Sequence, residues 1–171
     1  MERSTTASGR RRSSGPPQTL GFLLSQLGFQ TSKRFAERLA PLELNPRSFA
    51  LLNHVRSAEG QSQRALAELL RVPPSRMVAL LDELEERGLV ERRPHQADRR
   101  VRALYVTSAG ERMLEKARKV VADSEAELSS DLDAAERRQL IDLLGRVAAS
   151  QDLAPGVHPA MGMKGTGPPK D

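Results

Sequence analysis

Apolar positions recur at helical spacing along most of this chain and give way to alternation only once. Leu20, Leu23, Leu24 and Leu27, followed by Phe35 and Leu39, predict a helix over residues 20–39, which Pro41 ends. Gly28 near its middle weakens that helix and suits either a kink or close packing. Asn45-Pro46 reads as a helix start. The Asn side chain caps, and Pro at the first position lacks only an N–H that would be unpaired anyway. That helix runs over 46–56 with Phe49, Leu51, Leu52 and Val55 inside, and Glu59-Gly60 breaks it. Ser62 caps a short helix over 63–70 that buries Ala65, Leu66, Leu69 and Leu70. After the break at Val72-Pro73-Pro74, a helix over 74–87 carries Met77, Leu80, Leu81 and Leu84, the i, i+3, i+4, i+7 stripe of one buried face. Gly88 follows, where a left-handed cap needs a residue without Cβ.

The period then falls to two. Residues 89–93 read as a strand and 94–98 as a turn. In a second strand over 101–106, Val101, Ala103 and Tyr105 alternate with Arg102, Leu104 and Val106. Ser108 with Glu111 three residues later predicts a capping box that opens a helix to about residue 129. Its apolar positions are Met113, Leu114, Ala117, Val120, Val121 and Leu128. Asp133 with Glu136 repeats the signature and opens a last helix to residue 150, expected to bury Leu140, Ile141, Leu143, Leu144 and Val147.

Composition narrows what such a chain does. Its 171 residues suit one domain with tails. Lys and Arg outnumber Asp and Glu by 27 to 22, a net charge of +5, unevenly placed. Residues 1–18 set Arg3, Arg10, Arg11 and Arg12 against Glu2, a net +3, among Ser, Thr, Gly and Pro. Such a segment buries too little to offset its ordering entropy, so a disordered basic arm is expected. Arg10 to Arg12 suit a solubilising tail or a phosphate-binding arm. Residues 151–171, rich in Gly and Pro, are expected to form a disordered tail. The domain is then residues 19–150. Residues 87–102 hold six Arg against Glu91 and Asp98, a net +4 at the hairpin.

The same composition removes several classes. Zero Cys excludes disulfides, Cys-ligated zinc and a thiol sensor. His54, His95 and His158 fall in a helix, the hairpin and the tail, so no shared metal site is expected. No run approaches the roughly 18 apolar residues of a membrane span. The N-terminal segment lacks the apolar core of a secretory signal, so a cytoplasmic protein with no membrane partner is expected. There is no nucleophile elbow, phosphate loop or metal spacing, which leaves an enzyme without positive support and calls for no cofactor.

The chemistry concentrates where a short helix, a Pro-containing turn, a second helix and a basic hairpin follow one another. The first three make a helix-turn-helix pattern, whose second helix enters the major groove with its N-terminal residues toward base edges. Those residues are Pro74, Ser75, Arg76, Val78 and Ala79. Arg76 can donate two hydrogen bonds to guanine O6 and N7. Ser75 can bond a phosphate or a base, and Val78 and Ala79 offer only apolar contact, for instance to a thymine methyl. The hairpin suits a wing, with Arg99 or Arg100 at its tip along the backbone or in a narrow minor groove. Arg92 and Arg93 suit DNA contact or the protection of a strand edge.

Residues 63–107 resemble the MarR family of winged helix-turn-helix transcriptional regulators. The resemblance is carried by Ala67-Glu68-Leu69-Leu70, Ser75-Arg76-Met77-Val78-Ala79-Leu80-Leu81-Asp82 and Leu84-Glu85-Glu86-Arg87-Gly88-Leu89-Val90, then Asp98-Arg99-Arg100 and Thr107-Ser108-Ala109-Gly110. With the flanking helices it extends over about residues 20–150. It implies a fold that is mainly α with a small two- or three-stranded β wing: a winged helix-turn-helix with flanking dimerisation helices. The dimerisation helices are then 20–40 and 108–150, and the DNA-binding lobe 46–107. It also implies a homodimer on a palindromic operator in double-stranded DNA. The wing Arg would be Arg99 or Arg100, with Asp98 holding the tip by an ion pair. Most members resemble repressors relieved by a small aromatic or anionic effector bound between the dimer helices and the lobe.

Two departures from the family pattern stand out, and the first of them, at Val78 and Ala79, keeps a second reading open. Val78 and Ala79 stand where family helices often have polar or Arg residues, and Val106-Thr107 replaces the usual Leu-Thr after the wing. A winged-helix interaction module, binding a protein partner or DNA without sequence preference, fits the first departure as well. For an effector, Phe29, Phe35 and His54 are the candidate pocket residues, with core packing the alternative for the Phe side chains.

Overall fold

A computed structural model describes residues 19–95 and 101–161. The expected arm over 1–18, the hairpin tip over 96–100 and residues 162–171 lie outside the described residues. The chain divides into two units, residues 1–33 and 34–171. In the first, helix α1 (Leu20–Leu39) begins, and Leu20, Phe22, Leu24, Leu27 and Phe29 are all exposed. A Cβ on Gly28 would meet nothing within 4 Å, so that glycine serves no close packing within the chain.

The second unit holds the rest of the described fold. After α1 come a 3-10 turn (Ala40–Leu42), α2 (Pro46–Ser57), α3 (Gln63–Leu69), α4 (Pro74–Glu86), β1 (Val90–Pro94), β2 (Arg102–Val106), α5 (Ser108–Leu128) and α6 (Ala134–Ser150). Asn45 accepts the Ser48 N–H at 2.9 Å and starts α2, and Ser62 accepts the Ala65 N–H at 3.1 Å and starts α3, both as their side chains dictate. Asp133 and Glu136 close a full capping box on α6.

The start of α5 differs from expectation. Its cap is Thr107, not Ser108: Thr107 is extended (φ −81°, ψ 168°), and its hydroxyl accepts the Gly110 N–H at 3.1 Å. That makes Gly110 the third helical residue, where no side chain can return the bond. Glu111 pairs instead with Arg56 of α2. The same hydroxyl donates to the Gly88 carbonyl at 2.6 Å, so one side chain joins the end of α4 to the start of α5. Gly88 itself takes φ +65°, the left-handed cap its position requires.

β1 and β2 pair antiparallel, from Val90 opposite Val106 to Pro94 opposite Arg102. An isolated bridge from Ser62 to Ala103, with the Gly60 N–H on the Leu104 carbonyl at 2.9 Å, adds a rudimentary third edge. The core gathers Leu39, Leu51, Leu52, Val55, Leu66, Leu70, Met77, Leu81, Leu84, Val90, Leu104 and Leu114, drawn from both strands and from every α-helix except α6. Arg34 and Arg38 of α1 reach Glu127 of α5, and Arg38 also donates to Ser124 at 3.0 Å. Arg87, from the family-like Glu-Arg-Gly run, donates to the Glu43 carbonyl at 2.8 Å.

Three further expectations need correction. Ala65 and Leu69 are exposed, because α3 turns only the Leu66–Ala67 side and Leu70 inward. Leu140, Ile141, Leu143 and Leu144 of α6 are exposed, Ile141 by 57%, because no described element packs on that face. Residues 151–161, placed outside the domain by their Gly and Pro, continue in turns, and Met161 is only 2% exposed within the same core as Leu39 and Leu51.

Candidate nucleic-acid interface

α3 and α4 meet through a turn of left-handed geometry. Arg71 adopts φ +52°, and the Val72 N–H reaches the Ala67 carbonyl at 3.0 Å, ending α3 in a Schellman-type bond. Pro73 and Pro74 then set α4 going without a side-chain cap. Met77, Leu81 and Leu84 anchor one side of α4 in the core. Geometry therefore turns the opposite side outward, and Pro74, Ser75, Val78 and Ala79 are exposed there, Val78 by 40%.

Arg76 sits between the two sides. It is half-buried, and its Nε is sealed from solvent with no hydrogen-bond partner, an unsatisfied group of a kind that costs free energy. Its neighbour is another cation. Arg47, in the first turn of α2, is held below the ordinary arginine pKa first by burial and then by the charge of Arg76. Neither α2, α3 nor α4 has an acidic residue in its first turn, whereas α5 has Glu111 and α6 has Glu136. Since an acid there is favourable, its absence keeps the positive ends of the lobe helices uncompensated.

The wing residues divide. Arg92, a candidate DNA contact by sequence, turns into the protein with only 17% of its side chain exposed. It donates to Asp82 of α4 at 2.6 Å and to Gln63 of α3 at 3.4 Å, and it pairs with Glu85 of α4, whose carboxylate also accepts the Arg92 N–H at 3.2 Å. These bonds fix β1 to both helices of the helix-turn-helix. Arg93 stays exposed, pairs with Glu91 and lies 4.8 Å from the centre of the Tyr105 ring. The hydrogen bond to Glu91 and then its charge raise the Arg93 pKa, so Arg93 is a permanent cation. Asp98, Arg99 and Arg100 fall outside the described residues.

The candidate pocket residues are divided between the two units. Phe35 meets Phe49 edge to face, centroids 5.8 Å apart, and serves the core. His54 is half-buried on α2. Phe29 belongs to the first unit and is 73% exposed. Among the described residues no cluster of His, Asp and Glu could hold a metal, and no helix is long and apolar enough to cross a membrane. Arg47 and Arg71 are two basic residues of the lobe that the sequence pattern does not single out. Each sits at the edge of a helix of the lobe, and the only sequence signal was an Arg at a helix start or a tight turn.

A recognition helix exposed along one side, braced by a hairpin through Arg92, defines a winged helix-turn-helix protein of the DNA-binding class. The sequence profile of the MarR family matches residues 42–101, which contain α2, α3, α4 and β1. A candidate transcriptional regulatory protein for the hcr operon of Thauera aromatica is 31% identical over 137 residues, 80% of this chain and 82% of that one. A MarR-family transcriptional regulator from Rhodococcus sp. RHA1 is 33% identical with a TM-score of 0.63, covering 77% of this chain and 96% of its own. The transcriptional repressor CouR on a 23-mer DNA duplex is 32% identical with a TM-score of 0.68, covering 76% and 92%. CouR from Rhodococcus jostii RHA1 bound to p-coumaroyl-CoA is 34% identical with a TM-score of 0.62, covering 75% and 91%. The chain belongs to the MarR family of DNA-binding transcriptional regulators.

Proposed function

We propose that this regulator is a cytoplasmic repressor that acts as a homodimer on a palindromic operator and is released by a small aromatic or anionic effector. The observation that carries the reading is the outward face of α4, where Pro74, Ser75, Val78 and Ala79 surround Arg76 on a helix with no acid in its first turn. In this reading Arg76 and Ser75 meet base edges and phosphates, and Val78 and Ala79 meet thymine methyls. As the family resemblance implies, Arg99 and Arg100 are further DNA contacts in this reading, and Arg93 adds an exposed charge on β1. Arg92 acts as a positioning residue through Asp82 and Glu85. The exposed apolar faces of α6 and of the start of α1 support the homodimer, since each needs a partner surface. The CouR complex with p-coumaroyl-CoA supports an effector that is both aromatic and anionic.

The test is selection of bound sequences from random duplex DNA by the purified protein at about 150 mM salt, where non-specific phosphate binding is already weakened. An inverted repeat with half-sites about 10 bp apart is the expected product. Folded protein that enriches no sequence overturns the operator reading and favours the interaction module that Val78 and Ala79 left open.

A further inference from the structure

The turn between α3 and α4 holds a cation in a backbone conformation that costs it free energy. Arg71 follows the cap of α3 with φ +52°, in the left-handed region where a Cβ crowds the backbone. Its N–H reaches the Glu68 carbonyl at 3.2 Å, and the buried Leu70 and Val72 pin the chain on either side. Among the described residues Gly60, Gly88 and Gly156 take the same region without that cost. Glu43 and Asp152 share it elsewhere, and Arg71 is the one that stands in the helix-turn-helix. Its side chain is exposed and has no hydrogen bond or ion pair among the described residues. Glu68, the acid nearest to it in sequence, is already paired with Arg64 at 2.9 Å. Folding alone does not favour an arginine here.

The helix that follows has few donors of its own to offer an anion. A helix start ordinarily presents several free N–H groups, which is what lets it hold a phosphate. In α4, Pro73 and Pro74 have none, and the Arg76 and Met77 N–H groups both go to the Pro73 carbonyl at 3.0 Å. Of that first turn, Ser75 alone keeps an N–H free among the described residues. Arg71 lies four residues before Ser75, at most about 14 Å of extended chain away. Arg71, Pro73, Pro74 and Ser75 are all exposed.

We propose that Arg71 is a further DNA-contacting residue. From the turn it binds a backbone phosphate where α4 enters the major groove, in place of the N–H groups that Pro73 and Pro74 withhold. The assignment rests on the placement of α4 given above and adds a residue outside that helix to it. A phosphate contact positions without reading sequence, so Arg71 contributes equally on operator and non-operator DNA. The left-handed backbone is the cost of aiming it.

The experiment compares the full-length protein with Arg71→Gly, which removes the charge and the strain together, and with Arg71→Lys, which keeps the charge. Binding is measured against salt on the selected operator and on a scrambled duplex, and urea unfolding is followed without DNA. Arg71→Gly should lower the slope of log K against log salt by about 0.9 per protomer, which at about 150 mM salt weakens both duplexes by roughly fivefold per protomer. Its urea midpoint should stay level or rise, because a left-handed position has received a glycine. Arg71→Lys should keep a slope close to that of wild type. Weaker binding in a more stable protein is a result that a structural role cannot give. An unchanged slope in Arg71→Gly, or a fall in its urea midpoint that accounts for the weaker binding, overturns the proposal and leaves Arg71 a residue of the turn. A loss confined to the operator also overturns it, since Arg71 then reads bases. A wild-type protein that binds duplex but selects no operator defeats the operator reading alone, and the scrambled-duplex slope still decides Arg71. A wild type that binds no duplex defeats both.

Discussion

Helices α4 and α6 carry the same kind of apolar stripe, yet among the described residues only α4 has a surface to bury it against. In α4, Met77, Leu81 and Leu84 vanish into a core shared with α2, α3 and the start of β1. In α6, no residue is buried, and Leu140, Ile141, Leu143 and Leu144 face outward although the helix is well capped by Asp133 and Glu136. Capping and propensity can shape a helix of this length but contribute little stability without packing. The α4 stripe therefore reports how the lobe folds, and the α6 stripe is the face that the proposed homodimer would cover. Periodicity states that a face will be covered and is silent about which chain covers it.

The comparison breaks most completely if α6 is charged. Ile141→Glu with Leu144→Glu places two carboxylates one turn apart on the exposed stripe. If α6 holds the proposed homodimer, sedimentation should find a monomer where the wild type is expected to sediment as a dimer, with circular dichroism showing the lobe still folded. Operator affinity should fall roughly 100-fold or more, because the second half-site is no longer held at high effective concentration. A variant that remains dimeric would move the interface elsewhere.

A smaller effect is expected inside the lobe. A Cβ on Gly110 would lie 2.2 Å from the Leu89 carbonyl oxygen and 2.6 Å from Val106 Cγ1. That oxygen cannot move aside freely, since it accepts the Thr107 N–H at 3.1 Å. Gly110→Ala should therefore destabilise the lobe by about 1–3 kcal/mol, read as a shifted urea midpoint. The Thr-Ser-Ala-Gly run thus has a packing reason: Thr107 joins two helices, and Gly110 lets α5 start against the backbone of Leu89.

How far each feature was legible follows from how local its cause is. Asn45, Ser62, Gly88 and Asp133 act on backbone within a few positions, and the sequence displays them directly. Ser108 and Thr107 compete for one cap, and the choice turned on the extended backbone of Thr107 and its bond to Gly88, nineteen positions away. Arg92 looked like wing charge because Gln63, Asp82 and Glu85 become its partners only once the hairpin folds back on the helices. Met161 stands alone in a Gly- and Pro-rich stretch, so no periodicity announced that it would be buried. Arg47 and Arg76 are 29 residues apart in the chain, and the charge of one reaches the other only once α2 packs on α4. Elements and caps were therefore readable, whereas ion pairs and buried contacts that join distant segments were not.

The smallest expected effect gives the sharpest form of the comparison between the lobe and α6. Gly145 lies inside α6, and a Cβ there would meet nothing within 4 Å of this chain, the opposite of Gly110. In a helix with open surroundings, Gly→Ala removes unfolded-state freedom and should stabilise by about 0.5–1 kcal/mol. Gly145→Ala measured on the monomeric Ile141→Glu, Leu144→Glu background should show that gain as a higher midpoint in thermal or urea unfolding of α6. On the proposed homodimer, the same substitution in the otherwise wild-type protein reads the surface that would cover the helix. If side chains of the partner cover Gly145, the gain persists and dimer dissociation is unchanged. If partner backbone approaches it, the methyl group collides there, and the dimer weakens even as the isolated helix improves. The sign of the difference between the two backgrounds therefore tells whether this glycine, like Gly110, was placed for a close approach, with the approaching backbone supplied by a second chain.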